Sequence, residues 1–529
     1  MAIITGDDLD NSLTGTAEAD VIHGLGGNDS LFGQAGDDQV FGDDGNDVLS
    51  AGTGRDVLSG GAGDDTVFIG IGEGGDGDTA DGGAGVDHLY LQLDAVAAPI
   101  VLSIADPSVE QVAPDGTRIR GFESIQFYAG TGDDTITGGD LRDVVLGGGG
   151  NDTVRGGAGD DDLYGQWGDD IVEGGAGLDY LDGGDGNDRV FGGADADVIY
   201  GGTGDDLVHG GDGNDTLYGQ EGLDILYGDA GDDQLHGWTG PVELHGGTGD
   251  DVYLLTRFGQ VVVEAAGEGI DTVSASQSYR LPDNVENLFI FGGLRGVGNA
   301  LDNVMTTDDG SGSLFGAAGD DTLHGGGRDD WLDGGLGADT MDGGAGNDAY
   351  VVGSTGDRVI ELDEPGTDTV RSAIDYRLGD NVENLVLIGS RAVDATGNAL
   401  ANALIGNDAA NVLAGDLGKD VLTGGGGADS FVFDTAFGGS NIDRLTDFTP
   451  GEDHFLLDPA IFTQLPTGTL APDAFALGTA AGDADDRILY DIDSGTLRYD
   501  RDGTGPGAAR AFAIVVPGTA LSASDFLIG

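Results

Sequence analysis

Between residues 129 and 254 the chain repeats every nine residues without an insertion, and two positions hold their register throughout. Position 8 is always large and apolar, from Ile136 and Val145 through Leu217 and Leu244 to Tyr253. Position 6 is aspartate in thirteen of the fourteen nonads: Asp134, Asp143, Asp152, Asp161, Asp170, Asp179, Asp188, Asp197, Asp206, Asp215, Asp224, Asp233 and Asp251. GGTGDDLVH (201–209) and GGDGNDTLY (210–218) show the pattern. One inward apolar residue among the last three predicts a short half-buried strand. The leading glycines predict a tight turn. Turn plus strand, repeated, winds a parallel coil. With two nonads per coil, a strand stands on each side and the position-8 side chains of both sides meet in a thin core. No coil can bury its apolar face alone, so each depends on its neighbours. The expected fold is all-β, a parallel β-roll of the solenoid class.

The same beat returns elsewhere. A run over 15–68 places Asp20, Asp29, Asp38, Asp47, Asp56 and Asp65 at position 6, then falters through IGEGGDGDTADGGAGVDHLY (71–90), which still offers Asp78 and Asp87. A third run (316–351) carries Asp321, Asp330, Asp339 and Asp348; a fourth (397–432) starts with Asn402 and Asn411 before Asp420 and Asp429. Residues 91–128 read as ordinary β-prone sequence. GIDTVSASQSYRLPDNVENLFIF and GTDTVRSAIDYRLGDNVENLVLI are duplicates 97 residues apart. The expected organisation is a roll over 1–90, an insert over 91–128, a long roll over 129–254, an insert over 255–306, a roll over 307–351, the duplicate insert over 352–396, a roll over 397–432 and a C-terminal capping module over 433–529. Glu286 and Glu383 in the duplicates read as structural turn residues rather than catalytic acids.

Composition sharpens the chemistry. Of 529 residues 105 are glycine, 97 are Asp or Glu and only 20 are Lys or Arg, for a formal charge of −77. Such a chain repels itself, and without Lys/Arg clusters it offers nothing to nucleic acid or an anionic membrane surface. Stacked coils bring the aspartates of alternate nonads together, and bare carboxylates at that spacing oppose folding. A hard cation with six to eight oxygen ligands resolves the conflict, drawing on Asp side chains and turn carbonyls. That donor set suits Ca²⁺ better than Mg²⁺, which keeps its waters, or Zn²⁺, which takes Cys or His. There is no cysteine, so disulfides cannot hold the fold.

The nonad resembles G-G-x-G-x-D-x-U-x, the calcium-binding repeat of the RTX (hemolysin-type) family. The resemblance covers most of the chain and implies that the position-6 aspartates listed above bind several Ca²⁺ ions. The sequence after residue 433, ending in DFLIG, is similar to the C-terminal module of serralysin-like RTX exoproteins. That likeness implies a cap with an uncleaved type I secretion signal, and hence an extracellular or cell-surface bacterial protein. The N-terminus, MAIITGDDLDN, has no basic or apolar signal region, and the beat reaches back to GDDLDNSLT (6–14), leaving no expected room for a catalytic domain ahead of it.

No H-E-x-x-H, G-x-S-x-G or P-loop motif is present. His23, His209, His236, His245 and His324 fall at position 9, which faces outward, and nothing makes them converge. Tyr164, Tyr200 and Tyr218 share position 9 on one side, Phe191 and Tyr227 on the other; they pack on neighbouring coils or bind a glycan or protein. The leading reading is a non-enzymatic secreted calcium-binding protein that is itself a surface-layer, matrix or adhesive component, with possible homo-assembly or glycan binding. An extracellular polysaccharide-acting enzyme or accessory with its site in an insert is the alternative, and a membrane-active toxin a third, disfavoured by the lack of long apolar or amphipathic segments. Within 129–254 Val242 alone replaces a position-6 aspartate, inside GWTGPVELHGG. It is expected to mark the end of a calcium row, with Trp238 and Pro241 closing that end.

Overall fold

The computed structural model describes residues 1–70, 77–308, 310–439 and 441–529. Part of the faltering beat, 71–76, lies outside the described residues. The chain divides into a first unit of residues 1–274 with 282–284 and a second of 275–281 with 285–529.

In the first unit the nonads become short strands, and each strand pairs in parallel with the one 18 residues further on. Val144–Gly149 pairs with Asp162–Trp167, with Val145 opposite Leu163; Thr153–Ala158 pairs with Ile171–Ala176, with Val154 opposite Val172. Two nonads therefore make one turn. Ile136, Val154, Val172, Val190, Val208, Leu226 and Leu244 stack from one side, and Val145, Leu163, Leu181, Ile199, Leu217, Leu235 and Tyr253 from the other, all fully buried. One aliphatic side chain per nonad is a thin core for the backbone it must order, so the turns need a second source of stability.

The turns depend on glycine where the backbone crosses into the left-handed region: in 201–209, Gly202 and Gly204 have φ of 117° and 128°. The segment read as the 91–128 insert stays in the ladder. Val101–Ser103 pairs in parallel with Thr135–Thr137, and Ser124–Tyr128 bridges His88–Gln92 to Val144–Gly149. Its departure is Gln111–Val112, which runs antiparallel to Arg118–Arg120.

Val242 is 2% exposed and its carbonyl accepts the Val261 N–H at 2.8 Å. The sheet goes one strand beyond Glu243–Thr248, to Val261–Val263. Trp238 does not close it: the ring is 54% exposed and meets Tyr218 edge-on.

The second unit repeats the parallel coil. Ser313–Ala318, Trp331–Leu336, Ala349–Val352, Thr369–Ser372 and Asn384–Leu387 pair in succession, so strands of the 352–396 insert are rungs of the same ladder. After residue 433 the core becomes aromatic. His454–Leu457 and Phe526–Ile528 add parallel strands, while Ile488–Asp491, Thr496–Tyr499 and Arg510–Ile514 form antiparallel hairpins. Phe431, Phe455, Phe462 and Phe526 are fully buried there, and Phe455 stacks on Phe526 with ring centres 4.6 Å apart.

Candidate metal centre

Each position-6 aspartate sits where the turn enters the strand, and its two oxygens behave differently. Oδ1 accepts the backbone N–H of the aspartate one turn earlier. Asp134, Asp152, Asp170, Asp188, Asp206 and Asp224 form one such ladder, at 2.7–3.2 Å. Asp143, Asp161, Asp179, Asp197, Asp215, Asp233 and Asp251 form the other, at 2.7–2.8 Å. The N-terminal run carries two more: Asp20 to Asp38 to Asp56 to Asp78, and Asp29 to Asp47 to Asp65 to Asp87.

Oδ2 is the oxygen the protein leaves alone. In Asp29, Asp38, Asp47, Asp65, Asp87, Asp134, Asp152, Asp161, Asp170, Asp179, Asp188, Asp197, Asp206, Asp215, Asp224, Asp233 and Asp251 it is buried and accepts no hydrogen bond. The same holds for Asp321, Asp330, Asp339, Asp348, Asp420 and Asp429 in the second unit. Two of the expected ligands differ. Asp20 Oδ2 accepts the N–H and hydroxyl of Thr16, and Asp143 Oδ2 accepts the Gly139 N–H.

The space beside Oδ2 is held open by the first glycine of the nonad. A Cβ added to Gly147 would lie 2.8 Å from Asp152 Oδ2 and 2.8 Å from the carbonyl oxygen of Gly165 in the next turn; at Gly201 the distances to Asp206 Oδ2 and the Gly219 carbonyl would be 2.8 and 3.0 Å. A carboxylate oxygen and a carbonyl oxygen thus share one small space without a donor between them. Two acceptors facing each other out of water repel. Burial, then the neighbouring carboxylates, push Asp161, Asp197 and Asp233 up to about 8 and Asp152, Asp188 and Asp206 up to about 7, against the hydrogen bonds to Oδ1 that lower them. The donor set is all oxygen and anionic, which fits a hard divalent cation. When bound, Ca²⁺ supplies the positive charge that lets such carboxylates stay ionised in the interior.

Sequence reasoning missed the acids that take over where the spacing changes. Glu123 Oε2 accepts the Asp87 N–H, Asp271 Oδ1 the Asp251 N–H, Asp368 Oδ1 the Asp348 N–H and Glu383 Oε2 the Asp368 N–H, at 2.8–2.9 Å. Glu383, the one of these four that the sequence had singled out, here accepts a backbone N–H. It also missed position 5, whose side chains form an outer ladder in the opposite direction: the N–H groups of Asp169, Asn187 and Asp205 donate to Asn151, Asp169 and Asn187. The position-9 rings stack on one another. Tyr200, Tyr218 and His236 are spaced at 4.7 and 4.3 Å, and His209, Tyr227 and His245 at 4.6 and 4.5 Å.

Fold and site together define a parallel β-solenoid whose glycine turns and buried aspartates are built around cations. Ten segments, five of them overlapping, match the RTX calcium-binding nonapeptide repeat (4 copies): 5–40, 41–74, 126–154, 137–172, 146–181, 164–199, 173–208, 209–241, 298–350 and 396–431. They cover just over half of the chain, which belongs to this family and binds Ca²⁺ at multiple sites. A stretch of 67 residues is 43% identical to the endo-1,3-1,4-beta-glycanase ExsH of Rhizobium meliloti (strain 1021), covering 12% of this chain and 14% of that protein. No helix among the described residues is long and apolar enough to cross a membrane.

Proposed function

We propose that this is a secreted protein whose folding is switched on by extracellular Ca²⁺, and that the folded roll is its working part, a structural, matrix or adhesive component of a bacterial surface. The observation that carries this reading is the recurrent, buried and unpartnered Oδ2 of the position-6 aspartates. Those aspartates are the proposed ligands. Without a cation the rows hold their own charge apart from water; with one, a positive ion joins the carboxylates of successive turns. Extracellular modules bind Ca²⁺ at ~10⁻⁴–10⁻³ M, so the chain would stay unfolded in a low-calcium cytosol, pass through type I secretion machinery and fold outside. A ligand that binds only the folded state stabilises it by mass action, and many coupled sites make the transition steep. Sedimentation and electron microscopy after calcium addition test the role: sheets or filaments support a structural component, and a monodisperse monomer rejects assembly.

A second reading has its own support. The exposed edges of the stacked rings at position 9 offer a regular aromatic strip, and the partial relative is a glycanase. Stacked aromatics suit sugar rings, so polysaccharide binding, alone or beside an enzyme, is the alternative. Co-sedimentation of the calcium-loaded chain with mixed-linkage and β-1,3-glucans tests it; the structural reading alone expects no retention.

A further inference from the structure

A different acidic arrangement stands where the long run of nonads gives way to the following segment. One carboxylate oxygen each from Asp251, Glu264 and Asp271 lies within 4.8 Å of the others, and all three residues are buried. Asp251 ends its run of nonads; Glu264 follows the strand Val261–Val263; Asp271 precedes Thr272–Ala275. Glu264 is only 9% exposed, and neither of its carboxylate oxygens has a hydrogen-bond partner; Asp251 Oδ2 lacks one too. A carboxylate so far from water needs a proton or a cation beside it. No glycine-turn carbonyl pattern is required here, because three side chains supply the charge.

The trio recurs 97 residues later in the second unit as Asp348, Glu361 and Asp368. Each has a buried tyrosine behind it: the hydroxyls of Tyr253 and Tyr350 accept the N–H of Gly246 and Gly343 at 2.7 and 2.9 Å. The Tyr350 hydroxyl also donates to Glu361. In the first unit a cavity of about 360 Å³, lined by Tyr227, His245, Val263 and Glu264 among others, reaches one member of the trio, Glu264.

We propose that Asp251, Glu264 and Asp271 form a carboxylate-only Ca²⁺ site, distinct in build from the glycine-turn sites, and that Asp348, Glu361 and Asp368 form its duplicate. The proposal rests on the calcium-dependent reading of the roll. Oxygens that share one ion at 2.3–2.6 Å stand up to about 5 Å apart, which the trio satisfies. Three carboxylates without nitrogen or sulfur favour Ca²⁺ over Zn²⁺, and Mg²⁺ is usually held by one or two carboxylates and its own waters. The site would fasten residues 261–272 to the last nonads, where the nine-residue spacing no longer supplies a regular turn.

Hydrogen exchange of the full chain across a calcium titration, wild type against Glu264→Gln, tests this. Glutamine keeps the shape and removes one charge. The expected result is a calcium midpoint for residues 261–272 raised roughly tenfold, with that of 189–221 unchanged. If the trio only shares protons, removing a charge relieves repulsion, and a midpoint that falls or stays put overturns the proposal. Glu361→Gln should act likewise on residues 358–369. Should either variant fail to fold, a crystal structure of the calcium-loaded wild type decides: an ion at about 2.3–2.6 Å from the three carboxylates is expected, and a water or no density there overturns the site. A wild-type segment 189–221 that ignores calcium counts against the nonad sites instead, and leaves the trio to be judged by its own midpoint.

Discussion

The nonads of 129–254 and the shorter run of 397–432 meet the same crowding of carbonyls with different side chains. In the first, aspartate leaves Oδ2 facing a carbonyl with no donor between them. In the second, the leading positions hold Asn402 and Asn411. The Asn402 amide donates to the carbonyls of Val382 and Glu383 at 3.1 and 3.2 Å, and that of Asn411 to Val393 at 2.6 Å. Their Oδ1 atoms accept the N–H of Asn398 and Asn407, and their own N–H groups pass on to Asp420 and Asp429. Asn303 does the same before Asp321, donating to Val285 and Glu286. The amide N–H groups thus point back to the preceding turn, while Oδ1 stands in the glycine-held space beside the next turn's carbonyl, as an aspartate's Oδ2 does, but with an N–H four residues earlier to accept. What separates the two regions is whether the oxygen in that space has a backbone donor, as at Asn402 and Asn411, or none, as along the aspartate rows.

The largest effect that would sharpen this contrast comes from pH. Burial, the leading cause, pushes Asp161 and Asp197 up to about 8, Asp206 to about 7 and Asp215 to about 6, above the usual 3.8. A raised folded value means that the folded state holds more protons, so its stability is fullest below about pH 4 and is lost as pH rises through 6 to 8. In calcium-depleted buffer, circular dichroism should therefore show β-structure gained on acidification from pH 8 to pH 4.5. With calcium present, protons compete for the ligands and the calcium midpoint should rise on acidification. β-content independent of pH without calcium would break the account of the aspartates.

Next in size, Asp197→Ala with Asp215→Ala removes two neighbouring ligands of one row. Its calcium midpoint should move up several-fold in a fluorescence or dichroism titration, and an unchanged midpoint would mean that these carboxylates hold no ion. Asn402→Asp tests the other arm. It replaces a donor by a buried acid facing the Val382 and Glu383 carbonyls, so it should cost about 1–3 kcal/mol in urea melts at pH 7.5 and just enough calcium to fold the wild type, where that acid is ionised and cannot donate. Further calcium should recover part of that loss, and a neutral outcome would deny the amide its role. The smallest effect belongs to the ring stacks. Tyr200→Ala should lose about 0.5–1.5 kcal/mol with the calcium midpoint nearly constant.

Much of this could be read from the chain because the nine-residue period does two jobs at once. It places one apolar residue inward and one aspartate at each turn, and a pairing of 18 residues follows from two nonads per coil. What escaped were positions defined by contact across a changed spacing. Asp271 and Asp368 stand 20 residues beyond the aspartates whose N–H they accept, outside any count of nines, and Glu123 stands 36 beyond Asp87 across a stretch without the nonad pattern. Glu264 and Glu361 belong to no nonad, and only the fold carries them to Asp251 and Asp348. Val242 was legible as a missing acid, but its surroundings were not. Eighteen residues on, the buried Gln260 side chain accepts the N–H of Thr256 at 3.0 Å and reaches back to Gly237, so a neutral amide follows the row where the acid stops.

The central claim is that the aspartate rows fold around calcium. A titration of calcium-depleted chain at pH 7.5, followed by far-ultraviolet circular dichroism and reversed with EGTA, tests it most directly. The account predicts a largely unfolded spectrum without the ion and a steep, reversible gain of β-structure between ~10⁻⁴ and 10⁻³ M. Full β-structure retained in chelator at that pH would contradict it.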